Sequence, residues 1–433
     1  MKKIIIICLF IVFSACAIWP CGPYFNDMYI FKQSERDLFA YPKIDAYGQI
    51  EFLVNKFYPK DADLNGDSEN IDSAEISGEK IIGNSEIEEL TISLKNNKNI
   101  DLIVADFVEF RKNLKKFIRQ KKSSYKNYYY DGIVDSEEEI FRNYEKYPLK
   151  EKFSVDFESN NLKNLPAEFN MYIDGAVKYH NDEFDSSIKI WKQLLEIPDN
   201  ERKYKSVWAA FMIAKAYLSI HDTSNADSYF ILTRQLVEQG FYDSLNLGDE
   251  SYGWQALAQY ESGSFIGAVH LYSQANDAGS LLQIYPQNIS DSIIISICED
   301  SLSRKILTII LLNTDYYSLS AIDSLKKLPT DIAADDCDKF AYIFYLNGDI
   351  EKTLEFLSFT KQNTPLTLWL KSQLALRTGN IEEAIAIKKN ITDTEIFNKS
   401  ERFFARNIKD KVNCEIGMLY LNQKKYKESL NCF

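Results

Sequence analysis

The chain has 433 residues, more than one ordinary compact core holds, so several domains or a repeat array are expected. Hydrophobic residues make up 45% and aromatic residues 14% of it, which excludes a disordered chain, while 10 Pro and 16 Gly are few for a turn-rich all-β protein and favour a mainly helical one. The formal net charge of −13 opposes a phosphate backbone, so nucleic acid is not an expected partner.

The N-terminus indicates export. Two lysines precede the apolar run IIIICLFIVF at residues 4–13, and small residues follow it, so residues 1–17 are predicted to be a signal peptide. Two maturation sites remain open. The segment FSAC, which ends at Cys16, resembles a bacterial lipobox, and this resemblance implies lipidation of Cys16 and a membrane anchor. Alternatively, ACA at residues 15–17 fits an ordinary signal peptidase site and would release a protein that begins at Ile18.

The next segments differ in polarity. Residues 18–60 are rich in aromatic side chains and are predicted to be ordered, whereas residues 61–100 are polar and are predicted to form an exposed, flexible loop. Residues 101–165 are predicted to be helical. Their basic run RKNLKKFIRQKK has apolar residues at helical spacing, which favours an amphipathic helix with a solvated basic face.

The polar loop contains a possible calcium motif, DADLNGDSENID at residues 61–72. It follows the D-x-D-x-N-G spacing of an EF-hand loop, in which oxygen ligands alternate and a glycine permits the sharp turn. Ser68 stands where an apolar residue normally anchors the loop, and Asp72 stands where Glu is usual. The favoured interpretation of the segment from Asp61 to Asp72 is therefore a solvated acidic turn rather than a calcium site.

A spacing recurs from residue 166 to residue 433. The segment GNIEEAIAI at 379–387 resembles GSFIGAVHL from Gly263 and GDIEKTLEF from Gly348. Small residues are paired twelve apart at Gly175 and Ser187, Ala214 and Ala226, Ala256 and Ala268, Ala341 and Thr353, Ser372 and Ala384, and Gly417 and Ser429. Four residues after each second member stand Trp191, Phe230, Tyr272, Leu357, Lys388 and Phe433, of which five are large and apolar.

This pattern resembles the tetratricopeptide repeat (TPR), which implies an all-α superhelix of helix-turn-helix units. Small residues let the two antiparallel helices of a unit approach closely, and the bulky residue fills the groove beside the next unit. Gly263, Gly348 and Gly379 are predicted to end the first helix of their units in the left-handed conformation. The units are spaced irregularly, so an uneven superhelix, or α-solenoid, is expected over residues 166–433.

The last unit is predicted to be incomplete. Tyr426, Leu430 and Phe433 form one apolar stripe at positions i, i+4 and i+7, and no polar capping helix follows them. We therefore expect these 433 residues to be part of a longer protein.

The sequence contains no recognisable catalytic constellation. His180, His221 and His270 fall in separate repeats, and G-x-S-x-G, H-E-x-x-H and phosphate-binding glycine motifs do not occur. The remaining cysteines after the signal form no C-x-x-C pair, and Cys298 lies in an apolar run that predicts burial. We expect neither enzymatic activity nor a cofactor or structural metal.

Two functions fit these features. The first is an exported scaffold of the periplasm or outer membrane of a bacterium, which binds a protein or peptide partner in the superhelix groove and contacts the membrane only through a lipid anchor. The second is a surface lipoprotein that binds carbohydrate on similar helices. Because the chain has only five Trp for stacking on sugars, the scaffold is the favoured hypothesis.

Overall fold

All regular elements in the described part of the chain are helices, and these helices pack in neighbouring pairs. The all-α class predicted from the sequence is therefore confirmed. The computed structural model describes residues 46–59, 85–126, 152–154, 161–285, 291–313, 323–327, 336–360, 363–393 and 402–433. The chain divides into two compact units, called here the N-terminal unit (residues 50–286) and the C-terminal unit (residues 287–433 together with 1–49).

Most helices of the N-terminal unit follow one another through short turns. In chain order they are α1 (Ala46–Phe57, which enters this unit at Ile50), α2 (residues 85–93), α3 (Ile100–Lys126), α4 (Ala167–His180), α5 (Phe184–Leu195), α6 (Ser206–Ser219), α7 (Thr223–Glu238), α8 (Leu247–Glu261), α9 (Phe265–Ala275) and α10 (Ala278–Ile284). Short 3₁₀ turns precede α4 at Asn161–Asn164 and α6 at Asp199–Glu201.

The C-terminal unit is built in the same way. Its helices are α11 (Asp291–Glu299), α12 (Ser301–Asn313), α13 (Cys337–Leu346), α14 (Ile350–Ser358), α15 (Pro365–Arg377), α16 (Ile381–Asp393), α17 (Arg402–Asn422) and α18 (Tyr426–Leu430). Helices α11 and α12 pack against each other in the long interval between the third and fourth small-residue pairs, where the repeat spacing is interrupted.

Six helical hairpins share one turn. The N-terminal unit contains α4–α5, α6–α7 and α8–α9, and the C-terminal unit contains α13–α14, α15–α16 and α17–α18. In every one, the residue seven positions after the first small residue has a positive φ, namely Asp182 (63°), His221 (58°), Gly263 (86°), Gly348 (78°), Gly379 (82°) and Lys424 (60°). The left-handed conformation predicted for Gly263, Gly348 and Gly379 is confirmed.

The hydrogen bonds of this turn explain why it ends the first helix. The residue after the left-handed one donates its N–H to the carbonyl five residues back, as from Asp349 to Phe344, and this N···O distance is 2.8–3.0 Å in all six hairpins. These bonds satisfy carbonyl groups that the end of a helix leaves without partners. Glycine adopts this conformation without strain, whereas Asp182, His221 and Lys424 do so at about 1–2 kcal/mol each.

The first helices of the hairpins also contact one another in the N-terminal unit. Helix α4 touches α6, and α6 touches α8. We call these three helices the first-helix layer. Each also packs against the second helix of its own hairpin, so one side of the layer is fixed by α5, α7 and α9.

The prediction of a flexible polar loop over residues 61–100 is wrong for residues 85–93. Residues 85–93 form α2, whose Glu86 and Glu89 are buried together with Leu90 and Leu94. The composition suggested a loop because acidic residues are seldom buried without a partner. Here the partner is a lysine more than a hundred residues away in the sequence, which no local pattern can indicate.

The fully buried Ala268 of α9 provides a test of the hairpin packing. Because Ala268 is fully buried within the hairpin α8–α9, a longer side chain there must displace its neighbours. Replacing Ala268 with Leu should lower the free energy of unfolding of the N-terminal unit by about 1–3 kcal/mol through overpacking. Urea unfolding of the two proteins measures this difference. Equal midpoints would contradict the hairpin packing described here.

Candidate functional site

The twelve paired small residues all lie inside the hairpins. They are buried at Gly175, Ser187, Ala214, Ala226, Ala256, Ala268, Ala341, Thr353, Ser372, Ala384, Gly417 and Ser429. The bulky positions Trp191, Phe230, Tyr272 and Leu357 are buried as well. Lys388, the one charged residue among the bulky positions, is also buried, and its ammonium group forms an ion pair with Glu415.

The hairpin α4–α5 shows why one of these positions must be glycine. The indole ring of Trp191 lies directly on Gly175, and a Cβ atom at Gly175 would be only 2.3 Å from the indole nitrogen. That nitrogen donates a hydrogen bond of 3.1 Å to the carbonyl oxygen of Tyr172. The small residue therefore makes room for an aromatic ring that is both packed and hydrogen bonded.

The last hairpin repeats this contact with a more exposed ring. Phe433 lies on Gly417, whose added Cβ would be 2.8 Å from the ring, yet 68% of Phe433 remains exposed. Tyr426 and Leu430 on α18 are exposed too, so the apolar stripe predicted from the sequence faces solvent in the structure. The expectation that further chain covers this stripe stays a prediction.

The most distinctive polar feature is a buried lysine at the start of α6. The ammonium nitrogen of Lys205 lies 4.1 Å from the ring centre of Trp208, 4.9 Å from that of Phe169 and 5.4 Å from that of Tyr172. We call these three rings, on α4 and α6, the Lys205 cage. Cations are attracted to the faces of aromatic rings, most strongly where water is excluded, and Lys205 is completely buried.

Helix α2 supplies the negative charge for this lysine. Glu89 accepts a hydrogen bond of 2.5 Å from the Lys205 ammonium group, and Ser244 donates a further hydrogen bond to Glu89. Glu86 lies 4.0 Å from the same ammonium group and forms an ion pair of 2.6 Å with Arg111 of α3. Glu89 therefore joins α2 to the first-helix layer, and Glu86, three residues earlier, joins α2 to α3.

Glu168, in the first turn of α4, connects this cluster to the backbone. Its carboxylate accepts hydrogen bonds from the N–H groups of Tyr204 (2.9 Å) and Lys205 (2.8 Å). Burial raises the pKa of Glu168 to about 6, although these two N–H groups and the charge of Lys205 lower it. Since the folded pKa lies above the ordinary value of 4.5, the folded protein binds this proton more tightly than the unfolded chain does.

This pKa leads to a prediction about acid stability. As the pH falls from about 6 to about 4.5, Glu168 should add about 2 kcal/mol to the free energy of unfolding, because each pKa unit corresponds to 1.36 kcal/mol. Replacing Glu168 with Gln should remove this gain, and replacing the exposed Glu250 with Gln should leave it. Urea unfolding at pH 7 and pH 4 measures both. A pH response unchanged in the Glu168→Gln protein would contradict the assignment.

A more accessible section of the first-helix layer lies beyond the Lys205 cage. The ammonium group of Lys215 on α6 lies 3.7 Å from the ring centre of Trp254 on α8, and both residues are half-buried. Tyr217, also half-buried on α6, accepts a hydrogen bond of 2.7 Å from Lys192 of α5 at its hydroxyl group. Cationic and aromatic side chains at partial exposure are suited to contacts with a partner, because they offer both apolar area and charge.

The C-terminal unit has its own buried ion cluster, around Asp336. This carboxylate pairs with Arg304 (2.9 Å), Lys305 (3.0 Å) and Lys339 (2.9 Å). Burial alone would raise the pKa of Asp336, but the three cations lower it to about 2. Asp336 therefore stabilises this unit above pH 4, and its contribution is lost as the pH falls from about 4 towards 2. Because the groups join α12 to the start of α13, the cluster has a structural role.

The three histidines have separate environments. The Nδ1 atom of His270 on α9 is 2.6 Å from the hydroxyl oxygen of Tyr58. His221 occupies a left-handed turn position with its ring 3.8 Å from Glu261, and His180 ends α4, where its carbonyl oxygen accepts a hydrogen bond from Lys121. Within the described residues, His, Cys, Asp and Glu side chains nowhere gather in a group of three that could hold a metal ion.

Several predicted features lie outside the described residues. They are the signal peptide at 1–17 with Cys16, and the possible calcium segment from Asp61 to Asp72. The predicted burial of Cys298 is confirmed. Of the helices that the structure describes, none combines the length and apolar character needed to cross a membrane.

Lys205, Glu86 and Glu89 carry no sequence signal that marks them as site residues. Neither their types nor their spacing along the chain distinguishes them from surface charges. The only local signal was the pair of leucines four residues apart that follows Glu89, which is typical of one face of a helix.

The sequence matches no protein-family model, and no curated protein is significantly similar to it. The function must therefore be inferred from the residues of this chain.

Proposed function

We propose that this protein is a TPR-like scaffold that binds helical segments of a protein partner on its first-helix layer. The observation that carries the proposal is the seating of α2, which the layer holds through the Lys205 ammonium group and Glu89. A surface that binds one amphipathic helix has the shape and charge to bind another. The six hairpins with one turn geometry and twelve buried small residues support the TPR-like assignment, because they reproduce its helix-turn-helix unit.

The partner would bind at the more accessible section of the layer, around Lys215 and Trp254. A half-buried tryptophan beside a cation provides a large rigid contact area, and such residues carry most of the binding energy of many interfaces. The segment that α2 already covers is not open to a partner in this structure. A substitution at Lys215 or Trp254 should therefore weaken binding without disturbing the Lys205 cage or the ion pair of Lys205 with Glu89.

An affinity pull-down from envelope extract tests this proposal in two steps. Partners retained by the wild-type protein are identified and purified, and their dissociation constants are then compared with those of variants. Trp254→Ala and Lys215→Glu should weaken binding about tenfold or more. Lys189→Glu makes the same charge change on the exposed side of α5 and should have no effect. Equal affinity for all four proteins would overturn the proposed surface.

Carbohydrate binding has less support from the described tryptophans. Trp191, Trp208 and Trp369 are buried, and Lys215 lies over the ring of Trp254. Sugars stack on exposed aromatic faces, which these four rings do not offer freely. Binding on a glycan array that Trp254→Ala abolishes would favour this alternative over the protein scaffold.

We further propose that the protein is exported and anchored through an acylated Cys16. The support is the charged, apolar and small-residue order of residues 1–17. Mass spectrometry of the mature N-terminus should find Cys16 with its lipid, and the Cys16→Ser protein should leave the membrane fraction. A mature chain that begins at Ile18 would overturn the lipid anchor and leave export intact.

A further inference from the structure

The buried side chains of α2 and of Leu94, just after it, lie on one narrow face. Glu86, Glu89, Leu90 and Leu94 are buried, at positions i, i+3, i+4 and i+8, whereas Glu88 and Ile92 are exposed. This spacing places the four buried side chains on one side of a helix. Of the two carboxylates on this side, Glu89 contacts the first-helix layer through Lys205, whereas Glu86 pairs with Arg111 of α3 and lies 4.0 Å from Lys205.

The charges of this contact determine orientation more than they increase stability. A buried ion pair must offset the cost of removing both charges from water, so its net contribution to stability is small. Glu89 can approach Lys205 and Ser244 only if α2 lies in one register, and Glu86 must then meet Arg111. The contact is selective for acidic side chains, because an uncharged helix would remove the carboxylate that accepts a hydrogen bond from the buried Lys205 ammonium group.

Helix α2 is short. It has only the helical residues 85–93, and a helix of this length is marginal in water without support from packing. It binds within its own chain, where tethering gives a high effective concentration even to a ligand of low affinity. A longer helix with the same acidic face could therefore replace it.

We propose that α2 is an exchangeable occupant of this site, and that an acidic amphipathic helix of a partner protein competes with it for Lys205. The inference rests on the proposed function: it names the class of helix that the first-helix layer binds, and it adds the section now covered by α2 as a second binding section beside that of Lys215 and Trp254. Binding of the partner would release α2 from the layer. Until a helix of higher affinity binds, α2 blocks the site.

The test uses the full chain and a fluorescent peptide that copies residues 85–98, SEIEELTISLKNNK. Fluorescence anisotropy measures its dissociation constant for three proteins. Glu89→Gln weakens the internal contact, and this protein should bind the peptide at least about tenfold more tightly than the wild type does. Glu88→Gln makes the same charge change on the exposed side of α2 and should bind like the wild type.

Two further measurements show whether the site recognises the negative charge of the helix. A second peptide carries Gln at the positions of Glu86 and Glu89, the two glutamates that are buried in the protein. It should bind the Glu89→Gln protein at least about tenfold more weakly than the parent peptide does. Ser244→Ala removes one hydrogen bond to Glu89 without changing any charge, and should give a smaller increase in peptide affinity. This variant keeps the proposal testable if Glu89→Gln fails to fold, which circular dichroism reports.

The proposal is overturned if folded Glu89→Gln or Ser244→Ala protein binds the peptide no more tightly than the wild type does. It is also overturned if the Gln-substituted peptide binds as well as the parent. Neither result depends on a natural partner, whereas the pull-down with Trp254 and Lys215 variants does. Failure of the proposed function and failure of this inference are therefore distinguishable.

Discussion

Replacing Lys205 with alanine should lower the free energy of unfolding of the N-terminal unit by about 3–5 kcal/mol. Removal of one partner of a buried ion pair leaves the other charge without compensation, and Glu89 would keep the hydrogen bond from Ser244 but lose its cation. The same substitution also removes the cation from the Lys205 cage of Trp208, Phe169 and Tyr172. Urea unfolding followed by tryptophan fluorescence measures the loss.

Two comparisons make this prediction specific. Lys203 lies two residues earlier and is exposed, so Lys203→Ala should change the free energy of unfolding by less than about 0.5 kcal/mol. In the double variant Lys205→Met and Glu89→Met, both charges are replaced by apolar groups of similar length, which should restore most of the lost stability. A double variant as unstable as Lys205→Ala would show that the charges themselves are needed.

Replacing Gly175 with alanine should also destabilise the N-terminal unit, by about 1–3 kcal/mol. The added Cβ would lie 2.3–2.7 Å from three atoms of the Trp191 indole, so the ring must move. This movement would break its hydrogen bond to the carbonyl oxygen of Tyr172 and strain a buried contact. Thermal or urea unfolding measures the change.

Gly253 in α8 is the matched control. It is also a glycine within a first helix, but a Cβ there would meet nothing closer than 3.9 Å. Gly253→Ala should therefore be neutral or stabilise the protein by up to about 1 kcal/mol, as expected from helix propensity. If both substitutions stabilise equally, the close contact between Gly175 and Trp191 does not exist in solution.

Lowering the pH should change the stability of the two units in opposite directions, because their buried carboxylates have oppositely shifted pKa values. Glu168 favours the folded N-terminal unit as the pH falls through 6, whereas Asp336 withdraws support from the C-terminal unit only as the pH falls towards 2. The difference follows from the partners. Glu168 accepts hydrogen bonds from two backbone N–H groups and shares the charge of Lys205 with two other carboxylates, so burial still raises its pKa. Asp336 pairs with three cations, which lower its pKa.

The left-handed turns show how far local sequence rules extend. Gly263, Gly348 and Gly379 were predictable because glycine is the residue that adopts a positive φ most easily. Asp182, His221 and Lys424 adopt the same conformation without being glycine, and only their place in the repeat spacing indicates it. A spacing that recurs six times thus contains more information than the residue type at one turn.

The sequence alone determined the all-α class, the hairpin pairs and the small residues at their centres. These features depend on contacts between residues twelve or sixteen positions apart, and such contacts impose a period that can be read along the chain. The tertiary structure decided that the segment predicted as a loop contains α2, and that Glu86 and Glu89 meet Lys205. Burying a carboxylate is costly unless a cation or hydrogen-bond donors pair with it. The cation that pairs with Glu89 is Lys205, which lies 116 residues away in the sequence. No repeating pattern in the sequence indicates this distant pairing, so the candidate site could be found only in the tertiary structure.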